Sequence, residues 1–232
     1  MSEKPAVIHL FTFLLAILLA VPGFCLESLK THPDTAGWPS LFDEDLSNTD
    51  KPEGVWTVSE GVLTASEDKS IWSKKEYKDF ILDLEFKNAP ETNSGVLVRC
   101  SDMGDWIPNT IEIQIADDFA EKWASSPKTW QCGAVFGHLA PSKSAVKKPG
   151  EWNRMTIRCV GKQIDAVLNG EPIFSMDMNL WTSATNNPDG SEIPAWLSKP
   201  LNTLPTYGRI GFQGKHGGVP VWFRNIRIKE LN

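Results

Sequence analysis

The sequence predicts an all-β protein, an antiparallel β-sandwich, on three observations. Short runs with apolar residues at every second position recur along the chain, turn residues separate them, and no long amphipathic helical pattern interrupts them. About 205 residues follow an apolar N-terminal run, a length that suits one sandwich domain with a full core.

That N-terminal run, Ala6 to Val21 ("AVIHLFTFLLAILLAV"), follows Lys4 and precedes Pro22-Gly23. It is short for a bilayer-spanning helix and has the order of a secretory signal, expected over residues 1–25 with cleavage near Phe24 to Leu26. An uncleaved anchor is the alternative. The expectation is an exported protein, periplasmic or extracellular, with no membrane contact beyond the signal.

Next comes "GWPSLFDED" (Gly37 to Asp45), a lead-in segment anchored by Trp38, Leu41 and Phe42. "GVWTVSEGVLTAS" reads as a hairpin with Ser59-Glu60-Gly61 at its turn. In "DFILDLEFKNA", Phe80, Leu82, Leu84 and Phe86 alternate with Ile81, Asp83, Glu85 and Lys87, giving one apolar face. "SGVLVRC" and "TIEIQIA" follow the same logic, as does "RMTIRCVGKQIDAVLNGEPIF", where Asn169-Gly170 is a strong hairpin turn. "GRIGFQ" and "VWFRNIRIKEL" close the chain, and broken alternation between Phe223 and Ile226 predicts a bulge near Arg224-Asn225. Two stretches have no period, Phe119 to Pro149 and Met178 to Pro205. Connections of that length inside a domain are often functional, with solvent-facing padding as the alternative.

The net charge is −6, with no basic block and no aromatics interleaved with Arg or Lys, so nothing points to nucleic acid. Mild acidity is a solubility feature and does not identify a ligand. Besides Cys25, at the signal, the chain has Cys100, Cys132 and Cys159. An exported setting permits one disulfide and a leftover thiol; three buried thiols are the other outcome, because free Cys packs as a small hydrophobe.

The chemistry-bearing residues begin in "NTIEIQIADD" (Asn109 to Asp118). With Ile111, Ile113 and Ile115 toward the core, Glu112 and Gln114 share the opposite face. On "NSGVLVRC", alternation puts Asn93, Gly95, Leu97 and Arg99 on that face too. If the strands are neighbours, Arg99 reaches Glu112 and keeps it ionised, which suits a metal ligand, an orienting acceptor or a general base better than a general acid. A solvated cross-strand charge pair is the bland alternative. Strict alternation sends Asp117 into the core, so either the strand ends at Ala116 or a bulge returns Asp117 to the polar face. "GRIGFQGKHGG" adds Gln213, a Gly211 that leaves room for a ligand, and His216 in a Gly-rich turn. His138, with Lys143 nearby, is the second accessible His candidate. Neither His has the close spacing of a zinc motif, and there is no G-x-S-x-G, C-x-x-C or P-loop. Of ten tryptophans, Trp56, Trp152 and Trp222 fall in strand-like runs, whereas Trp106, Trp123, Trp130 and Trp196 lie in connections. Such indoles suit sugar rings, or anchor loops to a core.

"GWPSLFDED", "NSGVLVRC", "EIQIADD", "KKPGEWNRMTIRCVGKQIDAVLNGEPI" and "GRIGFQGKHGGVPVWFRNIRIKEL" resemble, in order, the 3-keto-disaccharide hydrolase family of exported bacterial proteins, from Gly37 to Leu231. The resemblance implies a concanavalin A-like jelly-roll sandwich of two antiparallel sheets over residues 37–231, with its site on the concave sheet. It implies action on glycosides oxidised to a ketone at sugar carbon 3, some relatives acting as lyases with a divalent metal and others as hydrolases. The matching positions are Asn93, Arg99, Glu112, Gln114, Asp117, Gln213 and His216. The expected roles are Glu112 or His216 as base or ligand, Asp117 beside them, and Arg99, Gln114 and Gln213 orienting the sugar. Asn93, Lys143 and His138 complete the expected substrate contacts. Laminarinase-type glycosidases of this fold carry Glu-x-Asp-x-x-Glu, where this chain has Glu112-x-Gln114-x-x-Asp117. The loss of the middle carboxylate weakens an ordinary two-carboxylate glycosidase as the alternative. A non-catalytic carbohydrate-binding module is the other.

Overall fold

A computed structural model describes Met1 and residues 28–231; the segment expected to be a signal, with Cys25, lies outside the described residues. Its strands are β1 (Thr49–Asp50), β2 (Trp56–Ser59), β3 (Val62–Ala65), β4 (Ile71–Tyr77), β5 (Phe80–Asn88) and β6 (Asn93–Cys100). They continue with β7 (Ile111–Ala116), β8 (Trp152–Val160), β9 (Gln163–Leu168), β10 (Glu171–Asp177), β11 (Gly208–Phe212) and β12 (Val221–Glu230). The one α-helix among the described residues, α1, is a single turn, Glu121–Ala124. No helix among them is long and apolar enough to cross a membrane.

These strands make two antiparallel sheets, in the order β1-β4-β11-β6-β7 and β10-β9-β8-β5-β12-β3-β2. This is the concanavalin A-like jelly-roll sandwich, and period-two alternation builds its core. Phe80, Leu82, Leu84 and Phe86 of β5 are fully buried, as are Val96 and Val98 of β6 and Ile113 and Ile115 of β7. Each such side chain contributes about 1.5–3 kcal/mol through apolar burial. Across the layers, the Phe212 and Phe223 rings lie 4.7 Å apart, and Phe42 of the lead-in segment meets Phe212 edge-on at 5.6 Å.

The hairpin turns fall where turn chemistry places them. Glu60 and Gly61 (φ 52° and 74°) join β2 to β3, and Asn169 and Gly170 (φ 51° and 86°) join β9 to β10. Both residues of each pair are left-handed, as tight hairpin turns that match strand twist require. The bulge near Arg224-Asn225 is present: the β5–β12 register slips between Arg224 and Arg227, and Asn225 has φ 51°. Cys100, Cys132 and Cys159 are free and buried.

One bulge was not legible in the alternation. Between β6 and β11, Leu97 pairs with Gly211 and Cys100 with Arg209, so β6 carries one extra residue, and Arg99 takes it up at φ 59°. Leu97 and Cys100 therefore share the outer face, and Arg99 turns inward. It is 1 % exposed, with Nη1 3.3 Å from Met178 Sδ and no partner for Nε or Nη2 among the described residues. The expectation that Arg99 stands beside Glu112 is corrected: the bulge inverts its parity.

Candidate active site

The outer face of the five-stranded sheet carries a cavity of about 720 Å³, within the range of small-molecule sites. Its floor is organised around Gly95, which pairs with Gln114 of β7 while Leu97 pairs with Glu112. Gly95 has no side chain, and Glu112 occupies the space that leaves: a Cβ on Gly95 would sit 2.2 Å from Glu112 Oε1. On the other side of β6, the Gln213 backbone N–H donates to Gly95 O at 3.0 Å, and the His216 backbone bridges to Asn93. Glu112, Gln114, Asn93, Gln213 and His216 thus line one cavity, as their spacing in the sequence predicts. Gly95→Ala is expected to push Glu112 out of place and lower kcat by about tenfold or more, since misplaced catalytic groups lose their alignment. Steady-state kinetics beside a thermal melt measures this.

Gln114 is 1 % exposed and donates from Nε2 to Asn93 Oδ1 at 3.0 Å, which fixes its amide orientation. Its Oε1 and that of Gln213 are buried without a partner among the described residues. Both are acceptors available to hydroxyl groups, because buried polar atoms are nearly always paired.

His216 is half-exposed, and its Nδ1 lies 2.6 Å from Asp68 Oδ2. Asp68 was missed in the sequence; it sits in the loop before β4. Gly214 brings that loop close: a Cβ there would lie 2.4 Å from Glu67 O, and Lys215 N donates to Glu67 O at 3.0 Å. A carboxylate acceptor puts the ring hydrogen on Nδ1 and leaves Nε2 as an open lone pair.

Among the described residues no Arg stands beside Glu112. Mostly buried, it has its carboxyl pushed up to about 8 by burial, so it is protonated at neutral pH. This reverses the expectation of an ionised base. A carboxyl raised from 4.5 to about 8 binds a proton in the folded chain that the unfolded chain releases. Its contribution to stability is complete below pH 4.5 and is lost as the pH rises to about 8. The melting temperature of the native protein, relative to Glu112→Gln, is expected to fall between pH 5 and pH 9; parallel melting curves would contradict this.

Aromatic side chains form the walls. Trp106, Trp123, Trp130 and Trp196, four indoles of the connecting segments, line the cavity with Trp72 and Phe136. Trp130 packs on Phe136 at 5.4 Å and on Trp196 at 6.1 Å, and Trp72 meets Trp106 at 6.1 Å. The room expected above Gly211 is filled, since a Cβ there would lie 2.4 Å from the Trp72 ring.

Three further expected site residues lie elsewhere. β7 ends at Ala116, and Asp117, 3 % exposed, accepts from the Glu91 and Phe119 amides at 2.9 and 3.1 Å. It shapes the turn after the strand and does not line the main cavity. Lys143 pairs with Glu171 at 2.6 Å on the exposed edge of the other sheet. His138 is buried, only 6 % exposed, and does not reach the main cavity.

No group of three or more His, Cys, Asp or Glu side chains among the described residues is placed to hold a metal ion. The Asp68–His216 pair and a neutral Glu112 do not form the multidentate, deprotonated donor set of a resident divalent cation.

Residues 37–229 match the family model described as a 3-keto-alpha-glucoside-1,2-lyase-like domain. A 3-keto-disaccharide hydrolase of Bacteroides thetaiotaomicron is 23 % identical, the match covering 89 % of this chain and 83 % of the relative. A crystal structure of a Parabacteroides distasonis protein, provisionally described as a glycosyl hydrolase, is 54 % identical with a TM-score of 0.82, covering 84 % of this chain and 99 % of that one. A second from the same organism, under the same provisional description, shares the fold at 23 % identity and a TM-score of 0.66, covering 83 % and 91 %.

Proposed function

Because the chain belongs to the 3-keto-alpha-glucoside-1,2-lyase-like family, we propose that its outer-face cavity cleaves the glycosidic bond of a 3-keto-glycoside, with His216 as base and Glu112 as acid. The observation that carries this is that an imidazole held by a carboxylate and a buried carboxyl line one cavity. His216 has an open Nε2 backed by Asp68, and Glu112 holds a proton at neutral pH. A ring nitrogen free to accept a proton and a carboxyl that holds one divide the base and acid roles between them.

The ketone at carbon 3 acidifies the carbon 2 hydrogen. His216 Nε2 takes that proton, and the electron pair moves onto the carbon 3 oxygen as an enolate. The carboxamide of Asn93, oriented by Gln114, and that of Gln213 line the same cavity and supply donors to that oxygen, the kind of stabilisation that lowers such barriers most. When the carbonyl re-forms, a double bond develops between carbons 1 and 2, the bond from carbon 1 to the leaving oxygen breaks, and Glu112 gives its proton to that oxygen. The products are an unsaturated keto sugar and a free alcohol. Run in reverse with water in place of the alcohol, the same two groups add water to the double bond, and the net result is hydrolysis. The indole walls suit the apolar faces of a sugar and its substituent. The apolar N-terminal run would place this activity outside the cytoplasm.

The deciding experiment incubates the protein with a 3-keto-disaccharide and with the unoxidised disaccharide, and weighs the early products. Expected are an unsaturated keto sugar and released sugar from the first only. Cleavage of the unoxidised compound would indicate an ordinary glycosidase, and saturable binding without product a carbohydrate-binding module; either result overturns the proposal.

A further inference from the structure

Beside the main cavity is a second, enclosed space of about 10 Å³, and Glu112 borders both. That volume admits about one water molecule. His138 lies on its wall. The His138 Nδ1 is 2.8 Å from Phe136 O, and a carbonyl oxygen only accepts, so Nδ1 carries the hydrogen and Nε2 keeps its lone pair. That Nε2 is buried with no partner among the described residues. Burial lowers the ring's proton affinity, keeping it neutral. Glu112 and His138 are the titratable residues of this space; its one further polar side chain, Thr110, donates to Val98 O at 2.9 Å. On the main-cavity side, Glu112 shares the lining with Asp68, His216, Lys69 and Lys122.

We propose that His138 is a positioning residue for Glu112, acting through one water molecule enclosed between them. The water donates one hydrogen to His138 Nε2 and the other to the Glu112 oxygen that lacks the acid proton. A site needs two to four polar partners to hold a water, and these two, with the Thr110 oxygen, meet that requirement. The acid proton is thereby assigned to the oxygen facing the main cavity, where the leaving group stands. Once Glu112 has given up that proton, the same water donates to the carboxylate, which favours the charged form. This inference rests on Glu112 being the acid.

Two substitutions separate the nitrogens. His138→Asn keeps an amide near the Nδ1 position, able to donate to Phe136 O, and removes Nε2. His138→Gln places an amide near Nε2. His138→Asn is expected to lower kcat about tenfold with little change in KM, and to move the alkaline limb of the rate profile upward by about one pH unit. His138→Gln is expected to recover most of the rate and the native limb. An unmoved limb in His138→Asn would overturn the proposal. If neither variant folds, a high-resolution crystal structure of the native protein decides: an ordered water within hydrogen-bonding distance of Nε2 and Glu112 supports the assignment, and a dry cavity overturns it. Native activity in Glu112→Gln would instead remove the acid itself, so the two failures are distinguishable.

Discussion

Glu112→Gln is expected to lower kcat on a 3-keto-glycoside by about a hundred- to ten-thousand-fold, the usual effect of removing a positioned general acid. The fold should be undisturbed. Gln is nearly isosteric with a neutral Glu, and the carboxyl is already uncharged at neutral pH because burial pushes it up to about 8. The space over Gly95 accepts either side chain. Two measurements sharpen the result. The alkaline limb of the native rate profile, set by loss of the acid proton, should disappear in the variant. A substrate with a good leaving group, such as an aryl 3-keto-glucoside, should regain much of the rate, because such a group departs without protonation. A variant equally slow on both substrates would point to a role in binding.

His216→Ala is expected to cost about a thousandfold in kcat, since carbon 2 then loses its base. Asp68→Asn is expected to cost less, about ten- to a hundredfold, and is the more diagnostic change. The Asp68 carboxylate can only accept, which holds the hydrogen on His216 Nδ1 across 2.6 Å. An amide in its place can turn and donate to Nδ1, moving the ring hydrogen to Nε2 and blocking the base. Exchange of the carbon 2 hydrogen for deuterium in D2O isolates the proton-removal step. It should continue in Glu112→Gln and stop in His216→Ala; the reverse pattern would exchange the two roles.

The sheets, their alternation and the two hairpin turns were readable from the sequence because period-two burial and left-handed turn residues are local signals. So were Glu112, Gln114, Asn93, Gln213 and His216, each on the predicted face or turn. Arg99 was misplaced because one extra residue in β6 inverts parity, and nothing in "GVLVRC" marks it. That single inversion also reversed the expected charge of Glu112, whose proton affinity depends on what stands beside it. Asp68 was invisible for another reason: its importance comes from Gly214 drawing two sequence-distant loops together. His138 looked accessible because its polar neighbours in sequence are not its neighbours in space. Asp117 followed the stated alternative, the strand ending one residue before it.

The two long connections also constrain how this cavity can change over evolutionary time. Trp181 donates to Asn187, and Asn187 donates to Gly137 O across the gap between them, while Trp130 of one rests on Trp196 of the other. Trp123 of the first and Leu197, Leu201 and Leu204 of the second belong to the same apolar core as the sheets. Lengthening or replacing either connection alone would break contacts made by the other. Descendants with a new leaving-group preference should therefore carry paired changes in both segments, while the floor around Gly95 stays as it is.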